Sequence, residues 1–287
     1  MQGIIIVNKP DNITSNSVVN KIKKILKVKK VGHLGTLDPL GCGVLPVTIS
    51  NATKLFDLYL NKTKKYRTIF KFGCETDTLD SSGTIIEQSD KIITIQDIEA
   101  ILPEFIGKMD QLPPKYSAKS VNGVRAYELA RNNIEFSLNT KKIEIYDIKV
   151  IKQVSNNSFM FDITCSSGTY IRSICRDIAY RLDTFAYMSA IHRLKAGDFS
   201  LENSYTLEEI EMLKDKCILP LEAALKDIKS LEVDDIEAHR IINGQTLIKF
   251  IDDGQYLVIN NKKVVAIADV INKHLKMKIY LKENEND

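Results

Sequence analysis

Cysteine, histidine and long apolar runs are scarce in this chain, and each scarcity removes a class of function. The five cysteines (Cys42, Cys74, Cys165, Cys175, Cys217) form no C-x-x-C pair and leave one over, which argues against a disulfide framework and against a zinc site. His33, His192, His239 and His274 are scattered, with no H-E-x-x-H among them. There is no G-x-x-x-x-G-K-[ST] phosphate loop and no G-x-S-x-G elbow, and Gly41-Cys42-Gly43 does not continue into a dinucleotide fingerprint. What remains is a reaction that needs no metal and no cofactor. The opening apolar run stops at Asn8, too short for a signal peptide and without a basic leader. No stretch reaches the length of a membrane span, so a cytoplasmic location without membrane contact is expected.

The composition is that of an ordinary globular protein. With 287 residues, 44% hydrophobic and 27% charged, the chain can bury a real core and suits two domains better than one. Its net charge of +3 is unevenly spread: residues 1–72 hold twelve Lys and one Arg against three Asp, a balance of +10. A basic half of this kind is the electrostatic footprint of a polyanion partner.

Local patterns give a coarse architecture. Ile4 to Val7 reads as a buried strand. Thr14 or Ser15 then caps a helix carrying Val18, Val19, Ile22, Ile25 and Leu26 on one face. Val44–Ile49 reads as another buried segment. From Lys65 to Phe72 the chain alternates, with Tyr66, Thr68, Phe70 and Phe72 on one side and Lys65, Arg67, Ile69 and Lys71 on the other. A helix over Asp97–Phe105 is opened by Thr94, and a short one over Arg125–Arg131 follows a proline-interrupted loop. The Phe159–Cys165 alternation ends at Ser166-Ser167-Gly168, and a helix starts at Ile171. Residues 201–229 read as helical with an interruption at Pro220. Beyond about Leu231 short β-type runs take over (Tyr256–Ile259, Val264–Ile267, Met277–Leu281), with a turn at Asn260-Asn261. The polar tail Glu283–Asp287 is expected to fray. These patterns predict an α+β domain over residues 1–230, followed by a small β-rich domain over 231–287.

The densest signal is Gly32-His33-Leu34-Gly35-Thr36-Leu37-Asp38-Pro39-Leu40-Gly41-Cys42-Gly43-Val44-Leu45-Pro46. Four glycines and two prolines in so short a run rule out a regular helix or a central strand. Such a loop lets backbone approach a partner closely, and it presents the Asp38 carboxylate on a residue held extended by Pro39. It reads as a site and not a connector.

This run resembles the catalytic motif of the TruB-type tRNA pseudouridine-55 synthase family, in its bacterial, guide-independent branch. Two further stretches resemble the family's later motifs in the expected order. Lys65-Tyr66-Arg67, with Gly73, Thr76, Thr78, Asp80 and Gly83 downstream, is similar to the second. Cys165-Ser166-Ser167-Gly168-Thr169-Tyr170-Ile171-Arg172 is similar to the third. The resemblance implies the pseudouridine synthase fold, a mixed, largely antiparallel sheet with flanking helices, followed by a PUA-like RNA-binding domain. It also implies an RNA-gripping insertion over about 108–140, carried by Pro113, Pro114, Tyr116, Ser117, Ala118, Gly123, Arg125, Tyr127 and Arg131.

The implied reaction isomerises a uridine in the T-arm of tRNA. The N1–C1′ bond is cut, the base turns, and it is rejoined through C5, with no redox change. The target must leave its stack to be reached. The resemblance makes Asp38 the nucleophile; from residue chemistry alone, a carboxylate could instead act as a base at the sugar. Arg172 is implied to orient Asp38 through a forked pair of hydrogen bonds. His33 is implied to pack in the vacated stack, Tyr66 to stack on the target base, and Tyr170 and Leu194 to line the uracil pocket. Lys9, Lys62, Lys64, Lys65 and Arg67 are expected to meet RNA backbone. Partners are then tRNA, with no guide RNA, and the chain a monomer. Asn8, Asn12, Ser120 and His192 depart from the family pattern (Asp, Gly, Lys and Arg), and Asn12 can keep a left-handed turn. Two other readings stay open: a guide-RNA-dependent synthase, and a non-catalytic tRNA-binding or folding chaperone.

Overall fold

The structure, a computed structural model, describes residues 1–60, 62–117, 119–121, 123–132 and 134–282. Ala118 and the tail Glu283–Asp287 lie outside the described residues. Two compact units share the chain: Met1–Asp38, Val44–Leu60 and Phe199–Asp287 form one, Pro39–Gly43 and Asn61–Asp198 the other.

The first unit begins with the strand Gly3–Lys9, whose run of isoleucines is buried. Asn12 then takes a left-handed φ of 59°, which its short polar side chain tolerates. Thr14 caps the helix Ser15–Leu26 by accepting a hydrogen bond from Ser17 N at 3.0 Å. The helix buries Val18, Ile22 and Leu26 against Ile5, Val7, Leu45, Val47 and Ile49. Val31–His33 pairs antiparallel with Cys42–Ile49, setting His33 opposite Val47.

A separate five-stranded sheet in the same unit starts at Lys229, next to the boundary expected from composition. Compactness does not divide the chain there. Asn51 Nδ2 donates to Lys282 O at 2.6 Å, and Glu222 Oε1 accepts from Val264 N at 3.1 Å, so this sheet is tied into the unit's earlier segments. Its core gathers Val258, Ala266, Ala268, Val270 and Leu275 under the helix Asp235–Ile242. Sequence periodicity did not show that helix. It starts at Asp234, whose carboxylate accepts from Glu237 N at 2.8 Å. The hairpin turn falls at Asn261 and Lys262, both left-handed, one step beyond the expected pair. The stretch 201–229 is broken into short pieces, among them Leu207–Leu213 and Leu221–Ala224.

In the second unit, strands run in the order Ala186–Ala196, Lys64–Phe72, Ser158–Cys165, Lys141–Ser155, Gly107–Gln111, antiparallel at each step. Cys42–Gly43 adds a parallel contact to His192–Arg193. The sheet is thus mixed and largely antiparallel, as expected. Tyr66, Phe70, Phe72, Phe159, Phe161 and Ile163 are buried, and the Phe70 and Phe161 rings lie 4.6 Å apart. The helix Ile171–Arg181 buries Ile174, Cys175 and Ile178. The expected Asp97–Phe105 helix is instead Ile95–Ile101, opened by a Thr94–Asp97 capping box, then a 3-10 turn begun by Leu102 and Pro103.

Candidate active site

Asp38 closes a loop anchored by the helix start. The Ser15 hydroxyl, itself buried, donates to Leu37 O and accepts from Leu37 N, both at 2.9 Å. Leu37 and Leu34 are buried, and Leu34 N donates to Pro46 O at 2.9 Å. Both peptide groups of the residue before Asp38 are therefore fixed, while Asp38 is itself half-buried. A carboxylate that must reach one atom needs such a fixed base. Lys9 corrects an expectation. Its side chain is wholly buried, and its ammonium donates to Pro10 O at 2.9 Å and Ile13 O at 2.7 Å. It clamps the turn before the helix and presents no charge to an RNA backbone.

In the second unit Tyr66 is 8% exposed and stands between Ile163 and Arg193 on the neighbouring strands. Arg193 is the largest wholly buried side chain, at 1% exposure, and nothing in the sequence patterns singled it out. Leu194 sits at a bulge, where the register shifts between Arg193 and Lys195. Gly43 shows why the motif carries glycine there. Its φ is +98°, and a Cβ would lie 2.3 Å from Arg193 O.

Arg172 lies in the first turn of its helix, a poor place for a cation on dipole grounds. The structure compensates it. Arg172 Nη1 donates to Thr78 O at 3.0 Å and stands 3.4 Å from Asp80 Oδ2, with both side chains under a tenth exposed. Asp80 Oδ1 is held in turn by Thr78 Oγ1 at 2.8 Å, Ser82 N at 3.0 Å and Ser82 Oγ at 2.5 Å. Asp80 was legible only as a motif position; its pairing with Arg172 was not. Tyr170 is placed by Gln111, whose side chain accepts from Tyr170 N at 2.8 Å and donates to Tyr170 O at 3.1 Å.

The basic residues around Tyr66 divide by face. Strand alternation turns Lys65 and Arg67 away from Tyr66. Arg67 makes a forked pair with Asp162 at 2.8 and 2.9 Å, which holds that carboxylate below its ordinary range. Lys65 lies 3.9 Å from the same carboxylate, and Lys62 pairs with Asp198 at 3.0 Å. Lys64 is buried and donates to Lys62 O at 2.7 Å. Burial, then the charge of Arg193, pushes its ammonium down to about 8. Lys64 shares Tyr66's face of the strand, and Lys65 and Arg67 stand on the other. In the insertion, the Tyr116 phenol is raised by burial and by its hydrogen bond to Asp77.

The model of the TruB family pseudouridylate synthase N-terminal domain matches residues 23–171, and that of the tRNA pseudouridylate synthase B C-terminal domain matches 172–226. The chain belongs to the TruB family. Relatives named tRNA pseudouridine synthase B include one from Caldanaerobacter subterraneus, 41% identical over 85% of this chain and 86% of its own. Another, from Clostridium tetani, is 43% identical over 85% of each chain. A chain in the structure of an H/ACA RNP bound to a substrate RNA superposes with a TM-score of 0.72, covering 99% of this chain and 86% of that one. At 22% identity this likeness shows the fold alone, which is the pseudouridine synthase fold with a β-rich C-terminal portion. Among the described residues no cluster of His, Cys, Asp and Glu could hold a metal ion, and no helix is long and apolar enough to cross a membrane.

Proposed function

We propose that this chain isomerises a uridine in the T-arm of tRNA to pseudouridine, with Asp38 as the nucleophile and Arg172 orienting it. The observation that carries the reading is the buried Arg172–Asp80 pair. A guanidinium is held nearly dry at a helix start, anchored from one side by a carboxylate that three further hydrogen bonds fix. A guanidinium fixed in this way suits a group that stabilises an ionised carboxylate. Asp38 sits on a loop whose preceding peptide is fixed by Ser15. The relatives' name supplies the substrate class.

In this reading the T-arm uridine flips out, and His33 fills the space it leaves. Tyr66 stacks on the base, with Tyr170 and Leu194 closing the pocket. Attack of Asp38 separates the base from the ribose; rejoining through C5 and loss of the C5 proton complete the isomerisation without a cofactor. Lys62 and Lys65 meet RNA backbone, residues 231–287 serve as a PUA-like RNA-binding domain, and the chain acts as a monomer without a guide RNA, in the cytoplasm.

The experiment is tritium release from C5-labelled uridine in an unmodified tRNA transcript, comparing wild type with Asp38→Asn. Release by wild type alone supports both reaction and residue. Release by neither, with tRNA binding intact, favours the chaperone reading.

A further inference from the structure

The reverse face of the central sheet in the second unit carries a charge arrangement that extends past the RNA-backbone residues named above to Lys195. The Lys64–Phe72 strand pairs on both sides, and its register sets Lys65 opposite Thr164 on one neighbour and opposite Lys195 on the other. Arg67, two residues on, stands opposite Asp162 and His192. Residues directly opposite in an antiparallel ladder share a face. This is the face turned away from Tyr66 and Phe70. Arg67 finds the Asp162 carboxylate beside it, at whose edge Lys65 also lies, 3.9 Å away; Lys195 finds another lysine.

Like charges directly opposite across a ladder destabilise a sheet. Here the conflict is deepened. Lys62, Lys64, Lys65 and Lys195 line one hollow of about 310 Å³ together with Thr164, and Asp198 is the one carboxylate among its lining residues. That carboxylate is engaged by Lys62 at 3.0 Å. An oxyanion set between Lys65 and Lys195 turns their repulsion into two charge-assisted contacts, and the Thr164 hydroxyl supplies a neutral donor.

We propose that this hollow holds a phosphodiester group of the RNA substrate, in a segment other than the one whose base meets Tyr66. The inference rests on the tRNA reading above for the identity of its partner. Lys65 and Thr164 stand on the face away from Tyr66, while Lys64, on Tyr66's face, closes the hollow at the start of the strand; the phosphodiester it takes is then not that of the flipped nucleotide and belongs to RNA beyond the T-arm stem-loop. Lys195, which no motif marks, becomes the residue that extends recognition past that arm.

The test uses the full chain with Lys195→Glu and Lys195→Thr. Binding of a full tRNA transcript and of an isolated T-arm stem-loop is measured over a salt series. Lys195→Glu is expected to weaken the transcript about tenfold and to flatten its salt slope by about one. The stem-loop should change less than twofold. Equal losses for both RNAs, or none for either, overturn the proposal. A second arm needs no RNA: thermal melting with and without millimolar inorganic pyrophosphate as the probe. Lys195→Thr should melt above wild type without the anion, because the opposed pair is gone, and should lose the rise that pyrophosphate gives wild type. An unchanged melting point with an undiminished pyrophosphate effect overturns the anion site whatever tritium release says about the reaction. A pyrophosphate effect lost in the variant, with transcript binding unaltered, overturns the RNA as the occupant.

Discussion

Two arginine–aspartate pairs in the same unit make opposite points about charge. Arg67 and Asp162 form a short, forked pair on an open face, with the arginine side chain 46% exposed. Arg172 and Asp80 stand at a looser 3.4 Å, with side chains 7% and 8% exposed. By distance the first is the better bond. By consequence it is the lesser one, because water competes for it and replaces it at little cost. The buried pair has no such substitute, since removing one partner leaves an ion stranded in low dielectric. Distance measures a contact, and burial decides what its loss costs.

The largest expected effect follows from that. Asp80→Ala strands Arg172 and should cost about 3–5 kcal/mol of stability by urea unfolding. Asp80→Asn keeps the shape and some of the Thr78 and Ser82 contacts while removing the charge. It should lower single-turnover isomerisation about a hundredfold while tRNA affinity changes less than threefold. A parallel fall in both would mean that Asp80 serves the RNA surface and not Arg172. Next comes Ser15→Ala, which removes the partner of both Leu37 peptide groups at once. Two buried backbone groups left unmade should cost about 1–3 kcal/mol each, and turnover should fall with little change in affinity, since the displaced residue is Asp38.

The two pairs also differ in how far the sequence disclosed them. Arg172 and Asp80 each stood in a readable motif, yet their meeting is a long-range event that no local pattern carries. Tyr66 was legible because alternation over Lys64–Phe72 is nearly ideal. The same alternation already separated Lys65 and Arg67 from Tyr66, a constraint that the cluster of basic letters obscured. Lys9 misled because lysine is rarely buried; two loop carbonyls supply its acceptors. The long strands Lys141–Ser155 and Ala186–Ala196 escaped notice for different reasons. The first is exposed over its last five residues, and the second is irregular at two register shifts, one of them beside Leu194. The helix start at Thr14 and the left-handed Asn12 were legible from local chemistry alone, as caps and turns are.

Lys64 supplies a smaller effect with a defined sign. Its folded-state value of about 8 lies below the ordinary 10.5 of an unfolded lysine. Between those values the unfolded chain binds the extra proton, so stability rises with pH across that window, by at most about 1.4 kcal/mol per pH unit. Below pH 8 both states carry the proton and the full penalty of burying it remains. Lys64→Met should be more stable than wild type at pH 7, with the difference shrinking as pH climbs toward 10. A difference that stays constant over the window would separate the lysine's burial from its titration.

The smallest effect belongs to the exposed pair. A double-mutant cycle of Arg67→Ala and Asp162→Ala should return a coupling of about 0.2–1 kcal/mol, at the upper part of that range for a forked geometry and reduced by half or more in molar salt. Because Arg67 depresses the Asp162 carboxyl, the coupling is present above the ordinary carboxylate range and is lost as pH falls through the depressed value. The corresponding coupling between Asp80 and Arg172 should be several times larger and nearly insensitive to salt. If the two couplings came out equal, burial would not be what separates these pairs, and the stranded-ion argument for Arg172 as the positioning group of Asp38 would lose its footing.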